Sequence, residues 1–362
     1  MSADPRLRDV LSSVPEYRAG RPALPGAFKL SSNENPYPPL PGVIAAVCDA
    51  ASEVNRYPDF GSSRLVAALA EHHKVNADAI ALGTGSVAVL AQAIAAAAGD
   101  GDEVIAAWRS FEAYPILVQL SGAKLVRVPL TSEGRHDLMA MAAAINDRTR
   151  LVLVCTPNNP TGAIVTRGEL DRFVQQVPAN VLIAIDEAYV EFVDPVDRLN
   201  ALELVAAHPN VMVLRTFSKA YGLAGLRVGY AVASPQVASA LRKTQLPFGV
   251  SSVAEQAALA SLASGHALMQ RVESLKQERE RICALLGGLG VGFPKPYGNF
   301  VWLPLGAATE SFASRCEQNG VIVRAFAGEG VRVTIGEPEG NNRFVEAVRT
   351  GVGLRRPGAR AR

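Results

Sequence analysis

The sequence predicts an α/β protein with a mostly parallel sheet, followed by a smaller α+β domain. Short apolar runs alternate with helical patterns from about residue 60. Runs such as 181–185 are apolar throughout, which is typical of a strand covered by helices on both faces. After residue 255 the pattern changes to two helices, three strands and a final helix. We therefore expect an N-terminal arm at 1–40, a large domain at 41–255 and a small domain at 256–362.

The arm is rich in proline and glycine and has poor periodicity, so we expect it to be extended. In the large domain, Ser62-Ser63 is expected to cap a helix, and Gly83 and Gly85 form a tight turn between a strand and a helix. Thr166 and Glu169 match a capping box. The predicted elements, in order, are helix 62–73, strand 79–83, helix 86–98, strands 103–107, 124–129 and 151–155, helix 166–177, and strands 181–185, 211–214 and 228–232.

A further helix is predicted after Ser234, with Pro235 at its first position. In the small domain, strands are expected near 300–305, 321–326 and 331–335, with a helix after Pro338. The basic residues 355–362 are expected to be a frayed terminus.

Composition excludes several classes of protein. The chain has 362 residues, of which 19% are charged and 49% apolar, so disorder and a disulfide miniprotein are excluded. The net charge of +2 gives no reason to expect nucleic acid or an anionic membrane as partner. Segment 79–99 is uncharged and long enough to span a bilayer, but it is alanine-rich and interrupted by Gly83-Thr84-Gly85-Ser86. We interpret it as a strand, a loop and a buried helix.

The sequence shows neither the pattern of a signal peptide nor a metal-binding motif. The first six residues lack the apolar segment of a signal peptide. The four cysteines are scattered without CxxC spacing, which favours a reducing cytoplasm. His72 and His73 are adjacent and cannot chelate as an i, i+4 pair would, so we expect no structural metal.

Polar residues follow three of the predicted strands. Asn159 lies after strand 151–155, Asp186 after 181–185, and Lys219 after 211–214. Because the carboxyl ends of parallel strands meet at one sheet edge, these side chains should share a crevice.

Two nucleotide-binding interpretations are weak. An apolar strand ending in Asp186 fits a Walker B strand, but the loop at Gly83 contains no Gly-Lys-Ser/Thr. Gly83, Gly85 and Ala88 match a dinucleotide fingerprint, yet strand 103–107 is followed by Trp-Arg-Ser rather than an acid. The loop could still bind a phosphate through free N–H groups and the helix dipole, or simply be a tight turn.

Lys219 lies among groups that suit a phosphate pocket. Thr216 and Ser218 carry hydroxyls and Arg227 a guanidinium, and a lysine beside them could form a Schiff base with a phosphorylated aldehyde.

These motifs together resemble the fold-type I, pyridoxal-phosphate-dependent aminotransferases of class I and II. They are Pro-Asn-Asn-Pro-Thr-Gly at 157–162, Asp-Glu-Ala-Tyr at 186–189, and Ser-Lys-x-x-Gly-Leu-x-Gly-Leu-Arg-x-Gly-Tyr at 218–230. Segments 32–37 and 56–59 are similar to the histidinol-phosphate aminotransferase branch. Segments 108–114 and 300–305 are similar to its actinobacterial aromatic amino acid (phenylalanine) aminotransferases.

The resemblance implies a ping-pong reaction in which an aromatic L-amino acid gives its amine to the cofactor and 2-oxoglutarate takes it away. The alternatives are histidinol-phosphate transamination and a decarboxylation that uses the same cofactor. It further implies a cytoplasmic homodimer with shared active sites. A nicotinamide dehydrogenase, by contrast, leaves Lys219, Asp186 and Asn159 unexplained.

The resemblance also implies residue roles. Lys219 would hold the cofactor as a Schiff base and move protons, Asp186 would face the pyridine nitrogen, and Phe111 would stack on the ring. Tyr189 and Asn159 would donate to the ring oxygen O3′. The phosphate contacts would come from Gly85, Ser86, Val87, Thr216, Ser218, Arg227 and, from a second subunit, Tyr57.

Substrate contacts are expected mainly from two arginines. Arg332 lies in an apolar strand, and its planar fork matches a carboxylate, so we expect it to bind the substrate carboxylate rather than a protein acid. Arg324 could contact the distal carboxylate of glutamate or, equally, a protein acid. Tyr17 and Asn33 would line or cover the pocket.

Overall fold

The computed structural model describes residues 5–17, 20 and 25–351. The basic tail predicted to fray and the first four residues lie outside this part of the chain.

The large sheet has seven strands in the order β2-β8-β7-β6-β5-β3-β4. Strands β3 to β7 pair in parallel, while β8 is antiparallel to both β7 and β2. This confirms the expected mostly parallel α/β sheet. The strands are β2 (Ile80–Gly83), β3 (Glu103–Trp108), β4 (Lys124–Pro129), β5 (Thr149–Cys155), β6 (Leu182–Asp186), β7 (Val211–Thr216) and β8 (Gly229–Ala233).

Helices cover both faces of this sheet, which explains the fully apolar strands. In β6, Ala184 packs into the core on one face, whereas Ile183 and Ile185 pack into the core on the other. The helices before and within this domain are α1 (Val43–Ala51), α2 (Ser63–His73), α3 (Ser86–Ala97), α4 (Ala113–Ser121), α5 (Leu138–Ala143), α6 (Arg167–Gln176), α7 (Ala201–Ala207), α8 (Pro235–Lys243) and α9 (Ser252–Ala263). Of these, α1, α4, α5 and α7 were not predicted from the sequence.

The helix caps agree with the sequence in two places and differ in one. Thr166 and Glu169 form the predicted capping box of α6, and the Ser234 hydroxyl accepts from the N–H of Val237 at the start of α8. Ser62, however, makes no capping bond. Asp59 replaces it, accepting from the N–H and hydroxyl of Ser63 at 2.7 and 2.5 Å.

The uncharged segment 79–99 forms β2, a loop and α3, as predicted. Among the helices that the structure describes, none is both long and apolar enough to cross a bilayer.

The small sheet has four strands in the order β1-β10-β11-β9. Its first strand, β1 (Phe28–Leu30), comes from the proline-rich arm and pairs in parallel with β10, so the arm is tied to the far end of the chain. The remaining elements are α10 (Gly265–Gly288), β9 (Phe300–Leu303), α11 (Thr309–Gln318), β10 (Val321–Phe326), β11 (Gly330–Thr334) and α12 (Pro338–Arg349).

Candidate active site

A cavity of about 430 Å³ lies at the carboxyl ends of β5, β6 and β7. The register Cys155↔Asp186↔Leu214 keeps these strand ends level, so Asn159, Asp186 and Lys219 reach one crevice, as expected. Thirteen of the sixteen predicted site residues line this cavity: Tyr17, Ser86, Val87, Phe111, Asn159, Asp186, Tyr189, Thr216, Ser218, Lys219, Arg227, Arg324 and Arg332.

Lys219 lies in this cavity with its side chain half-buried. Its Nζ donates to the backbone carbonyl of Ser32 at 3.2 Å and lies 5.8 Å from the ring centroid of Tyr189. Burial lowers the pKa of the Lys219 amine to about 7, and the positive charge of Arg332 adds to the shift. The amine is therefore substantially neutral, and so nucleophilic, near neutral pH.

Asp186 ends β6 with its carboxylate in the cavity wall. It accepts from the Tyr114 hydroxyl at 2.8 Å and from the N–H of Ala188 at 3.2 Å. Burial raises the pKa of Asp186, and the Tyr114 hydrogen bond opposes that rise. Tyr114 received no role from the sequence; the available signal was a hydroxyl-bearing aromatic one turn after Phe111.

A cradle of small and cationic groups lies at the start of α3. Gly85 has φ +82°, and a Cβ there would collide with the Arg227 guanidinium, which donates to the Ser218 hydroxyl at 3.1 Å. Ser86 and Val87 occupy the first helical positions, where N–H groups have no partner within the helix. The Gly85 N–H itself donates to the Gly83 carbonyl at 2.8 Å, so Gly85 contributes its lack of a side chain rather than its N–H.

Arg332 is held in the cavity without an acid. Its Nη1 donates to Asn159 Oδ1 and its Nη2 to the Ser31 carbonyl, each at 2.6 Å. Its buried Nε has no hydrogen-bond partner among the described residues, and no carboxylate there forms an ion pair with it. Burial lowers the pKa of Arg332. Because a buried charge is costly unless it is paired, the site suits an anionic ligand.

Asn33 supports the site from behind rather than lining the cavity. Its Nδ2 donates to the Tyr189 hydroxyl at 2.9 Å, and its Oδ1 accepts from Thr334 at 3.0 Å. The Tyr189 hydroxyl proton therefore remains available for another acceptor.

Phe111, Tyr17 and Arg324 line the outer part of the cavity. Arg324 meets a protein acid: its Nη2 lies 2.7 Å from Glu112 Oε1. Glu112 was not among the predicted site residues.

Tyr57 does not reach the cavity within this chain. Its side chain is 83% exposed and stacks on Phe248 with ring centroids 4.7 Å apart.

The cavity fits a phosphorylated pyridine aldehyde. It combines a half-buried lysine of lowered pKa, a buried carboxylate of raised pKa, and a helix N-terminus that glycine leaves open beside Arg227. The lysine suits the aldehyde carbon, the carboxylate suits the ring nitrogen, and the helix N-terminus beside Arg227 suits the phosphate.

Comparison with known proteins defines the class of protein. Residues 25–348 match the model of the family "Aminotransferase class I and II", and the chain belongs to that family. It is an aminotransferase with the fold of the pyridoxal-phosphate enzymes of fold type I.

Individual relatives are similar over nearly the whole chain. An aromatic amino acid aminotransferase of Streptomyces coelicolor is 56% identical over 345 residues, covering 94% of this chain and 96% of the relative. One from Thermobifida fusca is 51% identical over 349 residues, covering 96% and 97%. The crystal structure of a histidinol-phosphate aminotransferase from Sinorhizobium meliloti in complex with pyridoxal-5′-phosphate superposes with a TM-score of 0.86 at 29% identity, covering 96% and 99%.

Proposed function

We propose that this enzyme transfers the amino group of an aromatic L-amino acid to 2-oxoglutarate, using pyridoxal 5′-phosphate in a ping-pong reaction. The observation that carries the proposal is the buried Arg332 guanidinium, which has no acid partner in the part of the chain that the structure describes and shares one cavity with Lys219 and Asp186. Arg332 would hold the substrate carboxylate while the amine lies toward Lys219.

When bound, pyridoxal phosphate supplies a ring that accepts electrons from the substrate α-carbon. Asp186 keeps a proton on the ring nitrogen, since its buried carboxylate gains a cationic partner there. Lys219 would hold the cofactor, and its Nζ, when free, would take the proton from the substrate α-carbon.

The remaining polar residues orient the cofactor. The N–H groups of Ser86 and Val87, with Thr216, Ser218 and Arg227, would bind the phosphate, because that end of the cavity is cationic and opens on a helix N-terminus. Tyr189 and Asn159 would donate to O3′, and Phe111 would stack on the ring.

The aromatic substrate class is supported by the relatives and by the cavity wall. The similar proteins of Streptomyces coelicolor and Thermobifida fusca are named aromatic amino acid aminotransferases. Phe111, Ile116 and Leu117 give the cavity an apolar side suited to a ring. Histidinol phosphate is the second candidate, because the Sinorhizobium meliloti neighbour carries that name.

We place the active enzyme in the cytoplasm as a homodimer. The cysteines that the structure describes are free thiols, as a reducing compartment requires. Tyr57 would reach the phosphate of a second subunit, since its exposed ring lies outside its own cavity.

A substrate panel tests the proposal. We expect the holoenzyme to transfer the amine of phenylalanine or tyrosine to 2-oxoglutarate with a kcat/KM at least tenfold above that for histidinol phosphate. The Lys219→Ala protein, prepared identically, controls for contaminating transaminases. A preference for histidinol phosphate would contradict the aromatic assignment, and equal rates with Lys219→Ala would contradict the role of Lys219.

A further inference from the structure

An ion pair spans the outer end of the substrate cavity. Arg324 of β10 donates from Nη2 to Glu112 Oε1 at 2.7 Å and from Nε to Glu112 Oε2 at 3.2 Å. Both side chains are largely covered, with 15% and 24% of their surfaces exposed. Both residues line the same cavity as Lys219 and Arg332, so the pair faces whatever the cavity binds.

Glu112 is turned away from its own helix. It occupies the N-cap position of α4, where a carboxylate is usually held by helix N–H groups, yet it makes no capping bond. Its carboxylate instead reaches a strand of the small sheet, 212 residues along the chain. The Glu112 carboxylate therefore pairs with Arg324 instead of capping α4.

Arg324 lies beside a second cation, so a nearby negative charge stabilises it. It is directly paired with Arg332 across β10 and β11, and like charges in that relation repel. Glu112 and Arg324 act on Arg332 in opposite directions: the first favours its charged form and the second disfavours it. The three groups together carry one net positive charge, and no acid among the described residues pairs with Arg332.

We propose that Glu112 is a specificity-determining residue, whose carboxylate cancels the charge of Arg324 so that the outer cavity favours a neutral ring over a second anion. A phenyl ring packs beside the intact pair. A dicarboxylate gains Arg324 only by displacing Glu112, and 2-oxoglutarate, which enters the same cavity in the second half-reaction, would have to do so. This inference rests on the proposed function, since it concerns which side chain accompanies the carboxylate bound at Arg332.

The chain offers a matched control pair. Arg109, which follows β3, pairs with Glu329 in the turn between β10 and β11; Arg109 Nε lies 2.8 Å from Glu329 Oε2. This pair also joins the large sheet to the small sheet, but neither residue lines the Lys219 cavity. Glu329→Gln therefore loosens a similar bridge without changing the charge in the cavity.

Two unreactive probes separate binding from turnover. Glutarate and 3-phenylpropanoate each carry one carboxylate for Arg332, and end in a second carboxylate or a phenyl ring. By titration calorimetry on holoenzyme, we expect Glu112→Gln to tighten glutarate about tenfold and to change 3-phenylpropanoate less than about twofold. Glu112→Asp, whose shorter side chain weakens the pair, should lie between wild type and Glu112→Gln.

Kinetics should follow the same order. The kcat/KM ratio of glutamate to phenylalanine should rise about tenfold in Glu112→Gln and remain at the wild-type value in Glu329→Gln. In Glu112→Gln/Arg324→Gln, the gain in glutarate affinity should vanish, which would show that Glu112 acts through Arg324.

Unchanged glutarate affinity in both Glu112 variants would overturn the inference. An equal change in Glu329→Gln would also overturn it, because loosening any ion pair between the two sheets would then have the same effect. Failure of the proposed function has a different signature: wild-type enzyme would not transaminate phenylalanine or tyrosine at all.

Discussion

Two basic side chains in the active site, Lys219 and Arg332, have lowered pKa values but suit different roles. Arg332 is buried and Lys219 is half-buried, and burial lowers the pKa of each. The amine can lose its proton and become a nucleophile at neutral pH. The guanidinium stays charged, since the ordinary pKa of an arginine lies far above neutral pH, and it can therefore bind an anion.

The lowered pKa of Lys219 predicts a pH profile. In cofactor-free protein, acetylation of Lys219 by acetic anhydride should rise through about pH 7, because only the neutral amine reacts. Mass spectrometry of the peptide that contains Lys219 measures the labelled fraction.

The unfolded protein is the control for this measurement. There the same lysine should label with the ordinary midpoint near pH 10.4, since burial and the Arg332 charge are both lost. A midpoint near 10 in the folded protein would show that the amine is solvated and would contradict the buried site.

At the scale of elements, a largely buried ion pair joins two of the strand ends. Glu187 directly follows Asp186, and Arg215 directly precedes Thr216. Arg215 Nη2 and Nε lie 2.8 and 3.0 Å from Glu187 Oε2, with side-chain exposures of 15% and 1%. The pair therefore joins the end of β6, which carries Asp186, to the end of β7, which leads to Lys219.

Breaking this pair should destabilise the protein strongly. Glu187→Ala leaves Arg215 buried without its carboxylate, and we expect the free energy of unfolding to fall by about 3–5 kcal/mol. Urea denaturation of the cofactor-free protein, followed by circular dichroism, measures the change.

The matched control is an exposed pair of the same chemistry. Arg167 Nη1 lies 3.0 Å from Glu203 Oε2, with side-chain exposures of 46% and 58%. Glu203→Ala should cost about 0–1 kcal/mol, because water screens the pair. Equal losses in the two variants would show that burial does not govern the Glu187 pair.

At the scale of the molecule, exposed aromatic rings form a surface cluster outside the cavity lining. Tyr57, Phe60 and Phe248 are 83%, 55% and 40% exposed, and their rings pack on one another around Phe248. Exposed apolar clusters of this kind are typical of surfaces that bind another protein chain. The cluster supports the proposed homodimer, in which Tyr57 belongs to the partner's phosphate site.

A charge in this cluster should weaken the dimer. We expect wild-type enzyme to sediment at twice the monomer mass, and Phe248→Asp to raise the dimer dissociation constant at least about tenfold through loss of buried aromatic area. Affinity for pyridoxal phosphate should fall in parallel. Analytical ultracentrifugation and absorbance titration measure the two effects.

Val196→Asp provides the control, since Val196 is 91% exposed and lies outside the cluster. It should remain dimeric. A wild-type monomer of full activity would contradict the shared active site.

The grouping of polar residues at the strand ends could be predicted from the sequence. Apolar strands separated by helices predict a parallel sheet, and in such a sheet Asn159, Asp186 and Lys219 must meet at one edge. That inference needs only the periodicity of each segment and the order of strands, both of which are local properties. The cationic cradle near Arg227 was inferred from the hydroxyls and the guanidinium close to Lys219 in the sequence, whereas roles such as those of Phe111 and Tyr189 came from the resemblance to the aminotransferase family.

Contacts between distant elements became visible only in the folded molecule. Glu112 pairs with Arg324 across 212 positions, Tyr114 bonds Asp186 across 72, and Asn33 supports Tyr189 across 156. The strand Phe28–Leu30 likewise joins a sheet formed mainly by residues 300–334. Periodicity shows which face of an element is apolar, but the partner that meets a given polar side chain depends on how whole sheets and helices pack, and no local pattern encodes that arrangement.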